Sequence, residues 1–173
     1  SAFSDGRPIV RENAARAAGF MPNSLKDLLI PLTIALKDGI PEVQVAAADA
    51  FATLQAEAPT AVPALTFALR NATERVKRAC MVALDAYGPE RVAAELVKHL
   101  VGREEWMLQT IGKVTARMSE VLVPALASFA KRSDESLIAR ENAVRVLADL
   151  GQKARAAEPI LLTLLPEMEG MLA

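Results

Sequence analysis

A block of small and apolar residues recurs along this chain every 31–33 residues, and that period constrains the fold more than any other feature. Val10, Val43, Val76, Met107 and Ala139 open five such blocks. Four residues further on stand Ala14, Ala47, Cys80, Ile111 and Ala143, and three beyond these stand Ala17, Ala50, Ala83, Val114 and Val146. Steps of four and three keep these positions on one face of a helix. A second helical run precedes most blocks and carries a proline before a small or apolar residue, at Pro31, Pro63, Pro124 and Pro159, with Ala94 in that place in the middle run. The clearest copy is TAVPALTFALRNATERVKRACMVALDAYG at 60–88, which reads as two amphipathic helices broken at Asn71 to Thr73. Neither helix of such a hairpin can bury its stripe alone, so a period near 32 predicts stacked copies, a solenoid.

The pattern predicts about ten helices and no sheet: 8–19, 24–37, 41–56, 60–70, 73–87, 89–101, 103–117, 119–132, 135–150 and 154–170. The first is the second half of a hairpin and the last is the first half, so the segment is expected to be part of a longer array, with residues 1–173 forming one domain. Asp38-Gly39-Ile40-Pro41, Tyr87-Gly88-Pro89, Val101-Gly102-Arg103, Ser133-Asp134 and Leu150-Gly151 are the expected stops, and Ser24, Thr60, Ser119 and Asp134 the expected N-caps. Pro31, Pro124 and Pro159 fall beyond a first helical turn and are expected to bend their helices, whereas Pro63 falls nearer a helix start.

Composition agrees with packed helices. Hydrophobic residues make up 52% and charged residues 24% of the 173, which excludes a disordered chain, and aromatic residues are only 4%. The formal net charge of −1 argues against a surface that binds nucleic acid or anionic membrane over its whole extent. Cys80 is the single cysteine, so an internal disulfide is excluded and a cytoplasmic, reducing compartment is expected. Apolar runs such as Leu28 to Leu36 fall short of the ~20 residues that cross a bilayer, so membrane insertion is not expected.

Second helices such as VRENAARAAG and ARENAVRVLADLG, paired with the proline-bearing first helices, resemble HEAT repeats, especially the bacterial HEAT-like arrays, over roughly residues 8–170. The resemblance implies an all-α, right-handed α-solenoid of stacked antiparallel helix pairs, first helices on the convex side and second helices lining the concave side. Residues 90–118 depart most from the pattern: they lack the proline, place Gly112 inside a helix and carry Trp106 beside the charged turn GREEW.

The helical register predicts what the second helices show to solvent. One residue after each register position come Arg11, Gln44, Lys77, Leu108 and Arg140; six after come Arg16, Asp49, Val82, Lys113 and Arg145. These rows are rich in cations and, in parallel helices about 8–10 Å apart, form two short ladders. The functional reading is a groove for an acidic protein or peptide, in which Arg11, Arg16, Lys77, Lys113, Arg140 and Arg145 make the contacts and Trp106 serves as an anchor. The structural reading pairs the same arginines with neighbouring carboxylates such as Glu12 and Glu141, and lays Trp106 into the core. Phe67 and Phe129 read as packing residues and Cys80 as a small buried thiol.

No catalytic template fits. The chain lacks a nucleophile elbow, a phosphate-binding glycine loop and HExxH, and His99 is its only histidine, which excludes the His-Glu iron sites of some HEAT-like enzymes. With Glu95 as its one nearby carboxylate, His99 falls short of the three or four ligands that a metal needs. The expectation is therefore a non-enzyme without cofactor or metal: a protein-interaction scaffold. A HEAT-like nucleic-acid cradle of the alkylpurine DNA glycosylase kind is the alternative, for which the concave face is short of aromatics; a structural spacer that self-associates through its terminal repeats is a third reading.

Overall fold

The computed structural model describes residues 2–55, 58–70, 72–101 and 105–164, and these are helical without a strand among them. Nine α-helices are present in the described residues: α1 (Pro8–Ala18), α2 (Leu25–Ala35), α3 (Pro41–Leu54), α4 (Ala58–Ala68), α5 (Glu74–Tyr87), α6 (Pro89–Leu96), α7 (Glu105–Arg117), α8 (Ser119–Ala130) and α9 (Leu137–Leu150). Residues 158–164 are helical as well, after a 3-10 stretch at Gly151–Ala157. The expected tenth helix thus begins four residues late, and its last part, 165–170, lies outside the described residues, as do Asn71, the turn at Gly102-Arg103 and the ends at 56 and 103. The chain forms two compact units, Ser1–Gly88 and Pro89–Ala173.

In the first unit α3 packs between α1 and α5, while α2 and α4 pack on each other and on the second helices that follow them. Pro8 and Pro41 open α1 and α3 at the first helical position, where the missing amide would have had no intrahelical partner. Asp5 and Asp38, 33 residues apart, prepare these starts identically: Asp5 Oδ1 accepts from the Arg7 amide and Asp38 Oδ1 from the Ile40 amide, each at 2.9 Å. Thr73 opens α5, its hydroxyl accepting from the Val76 amide at 3.4 Å, and Gly88 closes it at φ +81°, a conformation that glycine adopts without strain. Flanked on both sides, α3 buries Val43, Val45, Ala46, Ala47, Ala48, Ala50 and Phe51. Small residues let the helices approach closely. A Cβ on Gly19 would stand 3.3 Å from the Cα of Ala50. The buried Tyr87 hydroxyl donates to the Phe51 carbonyl at 3.1 Å and ties α5 to α3.

The register positions of α3, α5 and α9 are buried as expected, but α1 is turned by one residue. It meets α3 through Ala15 and Ala18, which leaves Ala14 half-buried and Ala17 exposed.

In the second unit α6 packs on α8, and α7 and α8 pack on α9 around Leu96, Leu100, Ile111, Leu122, Leu126 and Leu147. Helix α6 stops at Leu96, five residues before its expected end, and tightens into a 3-10 turn at Val97–His99. Ser136, not Asp134, caps α9, accepting from the Ala139 amide at 3.2 Å, so this helix starts two residues later than expected. The other caps also differ. Ser24 precedes α2 without a side-chain cap bond, Thr60 lies inside α4, and Met118, not Ser119, occupies the N-cap of α8. Because α4 begins at Ala58, Pro63 is its sixth residue, as deep as Pro124 in α8, whereas Pro159 falls in the first turn of 158–164, where a proline is tolerated.

Candidate partner-binding surface

The two predicted surface rows have different fates. In the first row Leu108 and Arg140 are buried, at 5% and 6% exposure, and Arg11 and Gln44 are half-buried, so this row is not a solvent-facing ladder. Its polar members turn toward the ends of neighbouring elements, where backbone carbonyls lack helical partners. Arg11 Nη1 donates to the Asp5 carbonyl at 2.8 Å, Gln44 Nε2 to the Asp38 carbonyl at 2.7 Å, and Arg140 Nε to the Ala130 carbonyl at 2.8 Å. Arg11 also grips the Asp38 carboxylate through two parallel bonds of 2.6 and 3.0 Å. This guanidinium, together with the Ile40 amide, holds the Asp38 carboxyl below its ordinary range. Buried arginines are retained where such partners satisfy them, and Arg11 and Arg140 have structural work of this kind. Lys77, the fifth member, is part-exposed and pairs with Glu74 at 2.7 Å.

The second row faces solvent in every copy: Arg16, Asp49, Val82, Lys113 and Arg145 are all exposed. Arg16 pairs with Glu12 one turn back at 2.8 Å, and Arg145 in α9 with Glu105 in α7 at 2.5 Å. Among the described residues no carboxylate forms an ion pair with Lys113. Arg16, Asp49 and Val82 belong to the first unit, Lys113 and Arg145 to the second.

Trp106, beside Glu105 in the first turn of α7, is half-buried, between the anchor and the core readings. His99 is half-buried at the end of the 3-10 turn, and its expected neighbour Glu95 is buried and occupied by Lys98, at 2.8 and 2.9 Å. No group of three or more potential metal ligands occurs among the described residues. Cys80 is fully buried, and burial, aided by the Asp49 charge, pushes its thiol up to about 12. Phe129 packs in the core, whereas Phe67 stays 38% exposed with the Lys37 ammonium 5.1 Å from its ring centre. No described helix is long and apolar enough to cross a membrane.

Sequence reasoning missed Asn142, whose side-chain amide donates to the Leu100 carbonyl at 2.6 Å in a buried setting. The signal was present in the tetrapeptide Arg-Glu-Asn-Ala, which occurs at 11–14 and again at 140–143. In α9 both its arginine and its asparagine serve backbone carbonyls; in α1 only the arginine does so and Asn13 is exposed. No protein-family model matches the chain, and no curated protein matches it.

Proposed function

We propose that residues 1–173 form a right-handed HEAT-like α-solenoid that acts as a non-catalytic scaffold, holding an acidic protein or peptide segment against the exposed face of its second helices. The observation that carries this reading is that the same register position is exposed in all five second helices and holds three cations, Arg16, Lys113 and Arg145, against one anion, Asp49. The repeated turn contacts of Asp5 and Asp38, 33 residues apart, support the repeat architecture. The pairs that hold Arg16 and Arg145 are solvent-exposed, and such pairs contribute only about 0–1 kcal/mol. A partner carboxylate therefore displaces Glu12 or Glu105 at little cost. Lys77 adds a fourth cation and Trp106 an apolar flank, while Arg11 and Arg140 support the surface from beneath.

Reversing Lys113→Glu together with Arg145→Glu tests the reading. The immobilised wild-type protein, in lysate from its own source at low and moderate salt, is expected to retain a discrete protein that the double variant, equally helical, loses. Retention of the same protein by both would refute the surface. Nucleic acid in the wild-type eluate, with no protein, would favour the cradle alternative.

A further inference from the structure

Eight residues after the register position, the second helices α3, α5 and α9 bury a large apolar side chain: Phe51, Leu84 and Leu147. In α7 that place holds Thr115, equally buried. Thr33, Thr53, Thr66 and Thr110 each donate to the carbonyl four residues back at 2.7–2.9 Å, yet the Thr115 hydroxyl has no hydrogen-bond partner among the described residues. A buried hydroxyl in that state is unfavourable, because its bonds to water have been given up without replacement. Thr115 instead lines a void, with Ala93, Val97, Leu122 and Ala125 among its other walls, too tight for water. Ala93, Val97 and Ala125 also line an open groove of 370 Å³ between α6 and α8. Groove and orphaned hydroxyl are thus separated by three small side chains, and Val97, half-buried, begins the 3-10 turn that follows α6.

We propose that this groove is a binding site for a small neutral amphiphile, an aliphatic body carrying one hydroxyl or carbonyl group, whose polar end pairs with the Thr115 hydroxyl after a rotamer change at Val97. At the ~30 Å³ that a water occupies in the liquid, 370 Å³ is room for about a dozen heavy atoms. The lining is mostly apolar, which suits an aliphatic body. Glu90 and Arg132 contribute one charge of each sign, and Arg132 is held by Asp134 at 2.8 Å, so neither favours a charged ligand. The site stands apart from the exposed cation row and does not rest on the scaffold reading.

The test uses 1-hexanol as the probe, titrated into the full chain and followed by methyl NMR at Val97, Val121 and Leu122. Saturable shifts at these methyls are expected. Thr115→Leu, which supplies the large side chain that α3, α5 and α9 carry there, is expected to abolish them, and Thr115→Val, which keeps the shape without the hydroxyl, to weaken binding about 2- to 12-fold. Ala94→Leu fills the groove from an exposed position and is expected to abolish binding without entering the core. Absence of saturable shifts in the wild type, or binding unchanged in Ala94→Leu, would overturn the site. Wild-type affinity in Thr115→Val would overturn the role of the hydroxyl.

Discussion

Asn142→Ala and Asn13→Ala change the same residue of the same tetrapeptide and are expected to move stability in opposite directions. Asn142 is 8% exposed and donates to the Leu100 carbonyl at 2.6 Å; Leu100 is itself fully buried at the end of the 3-10 turn, so water does not readily replace the lost bond. Losing the bond and leaving that oxygen unsatisfied costs about 1–3 kcal/mol. Alanine returns roughly 0.5 kcal/mol through its helix propensity. The net expectation is a loss of about 0.5–2.5 kcal/mol. Asn13, exposed in the middle of α1, has only the propensity to gain, so Asn13→Ala is expected to stabilise by up to about 0.7 kcal/mol. Trp106, the sole tryptophan, lies in the same unit as Asn142 and reports its urea unfolding by fluorescence, while far-UV circular dichroism follows the whole chain. Equal shifts from the two substitutions, or a more stable Asn142→Ala, would refute the claim that side-chain capping of a helix-end carbonyl holds the second unit together.

Gly112 lies within α7, where an added Cβ meets nothing within 4 Å, so Gly112→Ala is expected to raise stability by about 0.5–1 kcal/mol, read as a higher Tm. The Cys80 thiol, pushed up to about 12 by burial, is expected to resist iodoacetamide at pH 8 in the folded protein and to react once urea unfolds it; rapid labelling of the native state would contradict its burial. Asp38 is more acidic when folded, chiefly through its hydrogen bond from Arg11, so its contribution to stability is present above the unfolded value of about 3.9 and is lost as pH falls through the lower folded value. Asp38→Asn is therefore expected to lower Tm at pH 7 and to narrow the difference between pH 7 and pH 3, and an undiminished difference would assign the acid sensitivity elsewhere.

The helices were legible because an apolar face with a period of 3.6 residues is written directly into the chain. Helix ends were less so. Ser136 and Asp134 are both competent caps, and the choice between them depends on where α8 releases the backbone, which no local pattern records. The surface rows divide for a related reason. A helical register gives the azimuth of Arg140 relative to its own apolar stripe, but not that the end of α8 brings the Ala130 carbonyl within its reach. Arg16 and Arg145, five residues further along their helices, have no such neighbour and stay exposed, as their register implies. The void at Thr115 was readable in principle by setting Phe51, Leu84, Thr115 and Leu147 one above another. The groove beside it was not, since it depends on how closely α6 approaches α8.

The bond from Asn142 to the Leu100 carbonyl spans 42 residues and sets a timetable for the nascent chain. At about 5–20 residues per second on the ribosome, Leu100 is synthesised roughly 2–8 seconds before the side chain that completes its bonding. The first-made half of the second unit therefore reaches its final hydrogen bonding only when translation has delivered α9.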